Sequence, residues 1–396
     1  MSENNSEIPN GHEGLLVIGL FLVVFVMGAD SFIISPLLPA IARSYQTTVE
    51  QAALAVTAYA LGYAGGAPFF GPLGDYFDKK RLLASGVSLF LMGSVLCAIA
   101  PTLPILLGCR LIAGIGAALT LPNVWATIGT QFKGPRMQWV MGIVMAALSL
   151  SIAVGVPLGA TVAQLSDWHM AFWASSIVGL VAATVLLLLV PSMPMSNRGP
   201  LSYGQRFREL RRQTTVVSTL GITLIWMFGF YLIYTFLGTV LIQQFQLNTA
   251  QSGTIFIGYG LSNFGASFFG GWVMMRLGTL RSIVMTGLVS ALCAVGLAFS
   301  ETLPLLMGWL VVLAVNQGFG VTALSAHIVA HAGQSRSTAM AVNSSLLYLG
   351  LMLASLVGGV GYTTLGFRGL CLMAAITFGL AGCLADGLNR WADVGN

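Results

Sequence analysis

Charged side chains are scarce in this sequence. Asp, Glu, Lys and Arg together make up 7% of the 396 residues, whereas 56% are hydrophobic. Soluble globular domains carry about 25% charged residues, so too few are present here to cover a water-exposed surface. The composition excludes a soluble domain and predicts an integral membrane protein, in which the 48 glycines allow helices to pack closely.

The motifs of several enzyme and pump classes are absent as well. The sequence contains no Gly-x-x-x-x-Gly-Lys-Ser/Thr phosphate loop and no Gly-x-Ser-x-Gly elbow, which argues against ATP-driven transport and against a serine hydrolase. The five cysteines lie inside apolar segments, are odd in number and lack metal-ligand spacing, so we interpret them as buried thiols. We expect no enzyme activity, no metal and no cofactor.

Apolar stretches long enough to cross a membrane recur along the whole chain. About 20 apolar residues in a helix cross the roughly 30 Å of hydrocarbon. Twelve such stretches, called spans 1 to 12, begin near Leu15, Glu50, Leu82, Pro104, Met137, Met170, Val216, Ala250, Arg281, Leu303, Ser335 and Phe367. They predict a polar tail (1–14), a six-span half (15–190), a basic linker (191–215), a second six-span half (216–390) and a short tail (391–396). The first tail lacks the cationic start and cleavage site of a signal peptide, so span 1 should remain in place.

Basic residues mark one side of the membrane. They concentrate in alternate connections, at Lys79, Lys80, Arg81, Lys133, Arg136, Arg198, Arg206, Arg208, Arg211, Arg212, Arg276, Arg281, Arg336 and Arg390, whereas the other connections contain Arg43 and Arg368. The positive-inside rule then predicts cytoplasmic termini and linker in a bacterial cytoplasmic (inner) membrane. Because the bases are scattered, we expect no nucleic-acid partner. Residues 203–213 are either a short helix on anionic lipid headgroups or a solvated linker.

The two halves repeat each other. Residues 101–108 read PTLPILLG and residues 301–308 read ETLPLLMG, and the Phe-Phe-Gly of 69–71 returns at 268–270. Each match joins equivalent spans, with offsets of 200 and 199 residues. Parallel halves related by an axis along the membrane normal are typical of one kind of transporter. The predicted fold class is an all-α membrane protein with two pseudo-symmetric six-helix bundles around a central cavity.

Three segments resemble motifs of a known family. Residues 71–81 (GPLGDYFDKKR) lie between spans 2 and 3, residues 110–118 (RLIAGIGAA) lie in span 4, and residues 155–159 (GVPLG), followed by DWHMAFW at 167–173, lie in span 5 and its exit. With these motifs, the sequence resembles the major facilitator superfamily over essentially its whole length. More narrowly, it is similar to the twelve-helix drug:proton antiporters, in the bacterial subgroup that exports sugars, purines and chloramphenicol-type compounds. We expect a monomer.

Asp30 is the most conspicuous single residue. It lies midway along span 1 among apolar neighbours. A carboxylate at that depth costs roughly 2.5–3.5 kcal/mol on insertion scales, so it should face a cavity or a partner. It is interpreted as a proton carrier, a contact for the substrate, or both in competition; the structural alternative is a carboxyl capped by Ser31 or Ser35. Pro36 and Pro39 should bend the helix just beyond the acid.

Arg110 is the second charge within the apolar spans. It lies near the start of span 4, which runs opposite to span 1, so Asp30 and Arg110 should lie at similar depth in the outer half of the membrane. In the superfamily that the sequence resembles, spans 1, 4, 7 and 10 line the central cavity, which makes these two residues candidate neighbours in proton coupling. The alternative is that Arg110 clamps backbone carbonyl groups.

The loop between spans 2 and 3 is interpreted as a conformational latch. Its candidate residues are Gly71, Gly74, Asp75, Asp78 and Arg81. The glycines permit a tight turn, and Asp75 can accept hydrogen bonds or pair with a charge at a neighbouring helix end. Such a contact would stabilise one of two alternating states. The alternative is a loop that obeys only the positive-inside rule.

Candidate substrate contacts lie on spans 1, 4, 7 and 10. They are Asp30, Asn123, Tyr231, Tyr234, Asn316 and Gln317. The two tyrosines share one face of span 7, and a cavity with such a wall suits a moderately apolar ligand. Ordinary helix packing and interhelical hydrogen bonds are the alternatives. His327 is a candidate second titrating group in proton coupling, or else a hydrogen-bonded structural histidine.

Gly155, Pro157 and Gly159 predict a hinge or seal on span 5. Two glycines four residues apart allow close backbone contact, and the proline removes one hydrogen bond of the helix. By resemblance, this segment belongs at the interface between the two halves.

These features favour a secondary transporter that exchanges protons for a small organic substrate and exports it by alternating access. The proton gradient would supply the energy, and membrane lipids would surround the chain. Uptake by proton symport is the first alternative. A membrane sensor or assembly protein without transport activity is the second, although paired charges inside a membrane argue against it.

Overall fold

The structure is a computed structural model that describes residues 10–71, 73, 77–190 and 203–394. Within these ranges the chain consists of helices and short connections, with no β-strand. The predicted all-α fold class is therefore confirmed. Gly74 and Asp75 of the predicted latch, residues 191–202 of the predicted linker and the outermost residues of both tails (1–9 and 395–396) lie outside the described residues.

The first half contains helices α1 to α8. Span 1 consists of α1 (Asn10–Phe32) and α2 (Ile34–Ser44), and spans 2 to 4 are α3 (Val49–Phe70), α4 (Lys79–Ala98) and α5 (Leu103–Gln131). Span 5 consists of α6 (Gly134–Leu150), a π-helical turn (Ser151–Gly155) and α7 (Val156–Leu165), and span 6 is α8 (Trp168–Leu189).

The second half follows a short helix, α9 (Tyr203–Arg212). Spans 7 to 10 are α10 (Thr214–Gln243), α11 (Thr249–Leu277), α12 (Thr279–Ala298) and α13 (Leu303–His331), and α14 (Arg336–Val394) contains spans 11 and 12. Inside α14, Gly366 has a φ of 67°, and the side chain of Leu370 lies against Gly361. The chain therefore reverses direction at Gly366, where the positive φ favours glycine.

Ten segments of the described chain are long and apolar enough to cross a membrane. One of them, Thr338–Arg390, holds two spans because of the turn at Gly366. Helix α11, with 29 residues, is a further long helix. Together these segments account for the twelve spans expected from the sequence.

The repeat seen in the sequence is also a repeat of the backbone. Pro104 and Pro304 both lie in the first turn of a helix, α5 and α13, where the N–H that proline lacks would have no helical partner. The turns that follow spans 1 and 7 match in the same register, since Gln46 and Gln246 have φ angles of 51° and 56°. The two halves therefore share local geometry as well as helix order.

Two spans are interrupted within their length. Span 1 breaks at Ile33, just before Pro36, whose ring cannot continue the regular hydrogen-bond ladder. Span 5 contains its π-helical turn immediately before Val156 and Pro157, a common site for a bend. Both interruptions lie where the first half meets the second.

Most of the basic residues lie at one end of the helices, where span 2 joins span 3 and span 8 joins span 9. We call this end the basic end and the other the opposite end. Spans 2 and 11 pack side by side along their length, from one end to the other. At the opposite end the Thr363 hydroxyl donates to the Glu50 carboxylate at 3.3 Å, and at the basic end Ala341 lies against Gly71. Between these points two serine hydroxyls of span 11 donate to carbonyl groups of span 2 at 2.7 and 2.6 Å.

Span 1 reaches span 7 through α2, near the opposite end. The Ser35 hydroxyl donates to the carbonyl of Tyr234 at 2.8 Å and accepts from the N–H of Gly238 at 3.2 Å. A Cβ at Gly238 would lie 2.5 Å from the Cα of Pro36, so only glycine allows this approach. The two halves are closely joined at this end.

Helix α9 lies against the basic end of the second half. Leu210 is buried with Ile328 and Ala339, while Arg208, Arg211 and Arg212 are exposed. The helical alternative for this part of the linker is therefore the one observed. Its contact with lipid headgroups stays a prediction.

Candidate functional site: a buried ion pair and a tyrosine cluster

Asp30 and Arg110 form an ion pair inside the first half. Nη1 of Arg110 lies 2.5 Å from Oδ2 of Asp30, and both side chains are at most 1% exposed. The hydroxyl of Ser94, on span 3, donates to Asp30 at 3.4 Å, and Ser176 of span 6 donates to Ser94 at 3.2 Å. The carboxylate therefore points into the first bundle, among spans 3, 4 and 6, and not toward the second half.

The guanidinium of Arg110 is held on several sides. Its Nη2 and Nε donate to the carbonyl groups of Asp30 and Ala55 at 3.3 and 3.4 Å, and its central carbon lies 4.4 Å from the ring centroid of Tyr59. A buried charge needs such partners, because desolvation is otherwise very unfavourable. Arg110 thus pairs with the acid and also clamps backbone carbonyls, the two arrangements that the sequence left open.

Close packing of span 4 on span 2 makes this arrangement possible. A Cβ at Gly114 would lie 2.1 Å from the carbonyl oxygen of Tyr59, and a Cβ at Gly62 would lie 2.5 Å from that of Leu111. Only glycine tolerates backbones this close. The glycines of the RLIAGIGAA segment therefore help to bring Arg110 over the Tyr59 ring.

Tyr348 of span 11 connects the ion pair with the second half. Its ring stacks on that of Tyr63 with 3.7 Å between centroids and lies 6.2 Å from that of Tyr59. Tyr59 is itself the ring beside Arg110. A continuous series of side-chain contacts therefore runs from the ion pair across the boundary between the halves.

Aromatic side chains of spans 7 and 8 extend this region. The ring of Tyr234 packs against Phe32 of span 1 at 5.3 Å and against Tyr259 of span 8 at 5.6 Å. The Tyr234 hydroxyl is buried and has no hydrogen-bond partner among the described residues, so a ligand could satisfy it. We call six residues the central tyrosines: Tyr59, Tyr63, Tyr231, Tyr234 and Tyr259, which are buried, and Tyr348, which is partly buried.

The predicted substrate contacts on spans 4 and 10 bond mostly within the protein. The indole N–H of Trp226 donates to Oε1 of Gln317 at 2.7 Å, which is the interhelical alternative. The side-chain amides of Asn316 and Asn123 donate to carbonyls one turn earlier in their own helices, at 2.8 and 2.7 Å. Asn123 keeps a buried Oδ1 without a partner among the described residues. Substrate binding by these residues stays a prediction.

His327 lies apart from the network of Asp30 and Arg110. It is 3% exposed, and its Nδ1 lies 2.9 Å from the hydroxyl oxygen of Thr219 on span 7. Its ring centroid is 4.2 Å from that of His331. The hydrogen-bonded arrangement is the one observed, and its part in proton coupling stays a prediction.

The described residues of the predicted latch lie at the basic end. Gly71 touches span 11, since a Cβ there would lie 3.1 Å from that of Ala341. The Asp78 carboxylate accepts a backbone N–H at 3.1 Å and caps α4, and Arg81 is exposed. This end of span 2 therefore contacts the second half directly; its action as a latch stays a prediction.

The predicted hinge on span 5 lies between spans 1 and 8. Gly155 and Gly159 leave no room for a Cβ on the side of span 1, and Gly253 of span 8 packs on Pro157. The segment thus lies at the boundary between the halves. Movement at this place stays a prediction.

Several residues of the site carry little signal in the sequence. Ser94 and Ser176 are hydroxyl residues within apolar spans, a common feature of membrane helices. Tyr348 is isolated on span 11. Tyr59 and Tyr63, in contrast, are four residues apart on span 2, and this aromatic face is a signal that identifies them.

Comparison with known proteins identifies the family. The family model described as Major Facilitator Superfamily matches residues 20–303 and 219–388 of this chain. The chain belongs to the major facilitator superfamily. Its helical halves, their repeat and the contacts between spans 2 and 11 are thus those of a superfamily member, and the predicted superfamily is confirmed.

Three curated relatives align along nearly their whole length. The chain is 30% identical over 384 residues to an uncharacterized MFS-type transporter, YwfA, of Bacillus subtilis (strain 168), covering 95% of this chain and 93% of the relative. It is 27% identical to a 3-(3-hydroxy-phenyl)propionate transporter of Escherichia coli (strain K12), covering 93% of each. It is 25% identical to a probable sugar efflux transporter of Helicobacter acinonychis (strain Sheeba), covering 90% and 92%.

A solved structure shares the fold. A bacterial homolog of the human lysosomal transporter Spinster, in an inward-facing and occupied conformation, superposes with a TM-score of 0.77 over 96% of this chain and 98% of that chain, at 14% identity. This likeness concerns the fold alone. The family assignment and the relatives, all named transporters, make the protein a multi-pass membrane transporter and not an enzyme.

Proposed function

We propose that this protein is a proton-coupled antiporter that exports small organic molecules, drugs or metabolites, by alternating access. The observation that carries the proposal is the buried Asp30–Arg110 pair, which Tyr59 links to Tyr348 of the other half. Because the titratable pair contacts a residue of the other half through Tyr59, proton binding at Asp30 should favour one arrangement of the two halves over the other.

The proton acts by removing the charge that faces Arg110. While ionised, the Asp30 carboxylate accepts from Arg110 at 2.5 Å and from Ser94 at 3.4 Å. A proton taken up on the carboxylate leaves a neutral group, which attracts a guanidinium far less strongly. Arg110 then favours its remaining partners, the carbonyl of Ala55 and the ring of Tyr59. A shift of Arg110 toward Tyr59 would press this ring against Tyr348. The contact between spans 2 and 11 would then change.

The central tyrosines are the proposed substrate site. They come from both halves, and their rings and hydroxyl groups suit a moderately apolar molecule with a few hydrogen-bonding groups. The unpaired hydroxyl of Tyr234 supports a ligand at this place. Because two relatives are named for an aromatic acid and a sugar, these two classes are the first compounds to test.

Two observations support export as the direction of transport. The GVPLG segment of span 5 resembles the helix 5 motif of antiporters, and one relative is named a probable sugar efflux transporter. In the outward-facing state Asp30 takes up a proton and the substrate leaves; in the inward-facing state Asp30 releases the proton and the substrate binds. The proton gradient supplies the energy without a cofactor, and one chain holds both halves, so a monomer suffices.

The basic residues support the orientation. By the positive-inside rule, the basic end faces the cytoplasm, together with both termini and α9, in a bacterial cytoplasmic membrane. The opposite end then faces outward. Arg110 is seven residues from the start of α5 at Leu103, so the ion pair lies about 10 Å from that end of the helix, within reach of an outward-facing cavity.

The test is substrate-driven proton movement in proteoliposomes under an imposed pH gradient. Wild type is compared with Asp30→Asn and with Asp386→Asn, a matched change at a partly exposed carboxylate that pairs with Arg390. The compounds are 3-(3-hydroxyphenyl)propionate, a set of sugars, and chloramphenicol-type drugs. We expect proton movement opposite to the substrate in wild type and Asp386→Asn, and none in Asp30→Asn.

Other outcomes separate the remaining possibilities. Proton movement in the same direction as the substrate would replace antiport by uptake symport. Coupling that survives Asp30→Asn would remove Asp30 as the proton carrier and turn attention to His327. A protein that binds a compound from this set without moving it or protons would contradict transport.

A further inference from the structure

An open surface pocket with both polar and apolar lining lies at the basic end of the second half, apart from the central tyrosines. It is a cavity of about 380 Å³ between the turn joining spans 8 and 9 and the ends of spans 10 and 12. Its lining includes Leu277, Leu280, Arg281, His327, His331 and Asn389. The proposed transport mechanism does not explain why an arginine and two histidines meet there.

The hydrogen bonds of the two histidines fix which nitrogen carries the proton. Nδ1 of His331 lies 2.9 Å from the carbonyl oxygen of His327, which can only accept, so this Nδ1 is the donor. The Thr219 hydroxyl donates to the carbonyl of Thr215 at 2.8 Å, so its oxygen accepts from Nδ1 of His327 at 2.9 Å. In both neutral rings, Nε2 is therefore an acceptor.

The other side of the pocket offers donors. Arg281 is exposed and lies in the first turn of the 20-residue helix α12, where backbone N–H groups have no helical partner and attract negative charge. A ligand that fits both sides must be anionic at one place and carry hydroxyl or similar donors at another. A bare divalent cation would suit the histidines but would be repelled by Arg281, and a simple anion would suit only the arginine.

The surroundings of the pocket are those of a lipid-facing surface. Beyond it, spans 9 and 12 carry a strip of exposed apolar side chains, Met285, Leu288, Leu292, Ile376, Leu380 and Leu384. Leu277 and Leu280 bring apolar surface into the pocket itself. A molecule bound here can thus have a polar part between α12 and α13 and hydrocarbon chains along spans 9 and 12.

We propose that this pocket binds the headgroup of an anionic phospholipid that carries free hydroxyl groups, as phosphatidylglycerol does. The phosphate accepts from Arg281 and from the N–H groups at the start of α12. The two glycerol hydroxyls donate to Nε2 of His327 and to Nε2 of His331. Arg281 and both histidines of the pocket then have partners, and the acyl chains follow the exposed apolar strip.

Lipid titration of the purified, delipidated full-length chain tests this, with bound lipid counted by native mass spectrometry. The probes are phosphatidylglycerol, phosphatidylethanol (the same charge without the glycerol hydroxyls) and phosphatidylcholine, all with the same acyl chains. We expect phosphatidylglycerol to bind about tenfold more tightly than phosphatidylethanol, because the histidine acceptors stay unpaired with the latter. Phosphatidylcholine should bind least.

Variants locate the site. Arg281→Gln should weaken the binding of both anionic lipids about tenfold, whereas His331→Phe removes one of the two histidine acceptors and should reduce the difference between phosphatidylglycerol and phosphatidylethanol. Arg212→Gln, on the exposed face of α9 at the same end, is the charge-matched control and should bind like wild type.

Equal binding of phosphatidylglycerol and phosphatidylethanol by the wild-type protein would overturn the proposal. This comparison needs no variant, so the proposal can be tested even if a substitution prevents folding. Phosphatidylglycerol binding that Arg281→Gln leaves unchanged would overturn the location. Soluble glycerol phosphate is the last arm: if it displaces phosphatidylglycerol at concentrations comparable to those of the lipid, the ligand is a free phosphate ester and the lipid assignment is wrong.

Discussion

The two halves share helix order and turn geometry but differ in the polarity of their interiors. In the first half, Arg110 pairs with Asp30 at 2.5 Å. In the register of the repeated Thr-Leu-Pro motifs, the position equivalent to Arg110 is Leu310, which is buried and apolar. Spans 7 and 10 of the second half are instead joined by hydrogen bonds without an ion pair, from Trp226 to Gln317 at 2.7 Å and between Thr219 and His327 at 2.9 Å.

This difference separates two tasks that a coupled transporter must combine. An ion pair responds to a proton, because protonation removes one of its charges, whereas a bond between an indole and an amide is the same at any physiological pH. The second half contributes three of the central tyrosines from spans 7 and 8. In the proposed mechanism, the first half thus responds to the proton, and the second half supplies much of the wall of the substrate site.

Breaking the ion pair is the strongest test of this comparison. Arg110→Gln leaves a buried carboxylate without its counter-charge, which should lower the free energy of unfolding by about 3–5 kcal/mol and abolish proton coupling. The double variant Asp30→Asn/Arg110→Gln should regain most of the stability without regaining the coupling. Thermal unfolding in detergent and transport at several external pH values measure the two effects. Unchanged unfolding of the single variant would contradict the comparison.

Enlarging Gly238 tests whether the opposite end must be closed. Its Cβ would lie 2.5 Å from the Cα of Pro36, so Gly238→Ala should separate spans 1 and 7 and shift the equilibrium toward the outward-open state about tenfold. Spin labels at Gln46 and Gln246, the exposed turns that follow these spans, should report a longer distance. Gly221→Ala on the same helix has open space around it and should leave the distance unchanged; a shift in both variants would point to helix propensity.

Removing the bond from Trp226 to Gln317 in the second half should affect stability but not coupling. Gln317→Leu leaves the buried N–H of Trp226 without its acceptor, which should cost about 1–3 kcal/mol of unfolding free energy. The stoichiometry of protons to substrate should stay that of wild type. A changed stoichiometry, measured in the proteoliposome assay, would show that the second half also takes part in proton movement.

The smallest expected effect concerns the ring that joins the halves. Tyr348→Ala removes the stack on Tyr63 and should weaken substrate binding about two- to tenfold. Tyr348→Phe keeps the ring. If ring stacking is the main contribution of Tyr348 to substrate affinity, this variant should bind the substrate within about twofold of wild type. Equilibrium binding of a transported compound compares the two variants. Equal loss in both would assign the effect to the hydroxyl instead.

The sequence predicted the fold and the charged part of the site, and it did so for physical reasons. Charge is so scarce that Asp30 and Arg110 stand out within apolar spans, and a helical rise of about 1.5 Å per residue puts them at one depth. Their contact in the structure follows from helix positions and from the small residues between spans 2 and 4. The superfamily was predictable from the motifs, and the family comparison confirms it.

The neutral part of the site was not predictable in the same way. Which hydroxyl faces Asp30 depends on how spans 3 and 6 are rotated about their axes, and serines in apolar helices carry no mark of that rotation. The same holds for Gln317: as a polar residue in an apolar span it was a candidate for substrate contact or for an interhelical hydrogen bond, and the structure shows the hydrogen bond, from Trp226. Tyr348 is a partner of Tyr63 only because spans 2 and 11 pack side by side.

The net charge of the Asp30–Arg110 pair determines how the membrane potential affects the proposed transport cycle. Without a bound proton, the pair carries no net charge; with one, the Arg110 charge is uncompensated inside the hydrocarbon. The first half of the proton-loaded protein then moves as a cation in the membrane field, where one elementary charge corresponds to about 2.3 kcal/mol per 100 mV. In the proposed cycle, the exchange of one proton for one uncharged substrate is electrogenic, so an electrical potential alone, negative inside, should drive export even when the pH is equal on both sides.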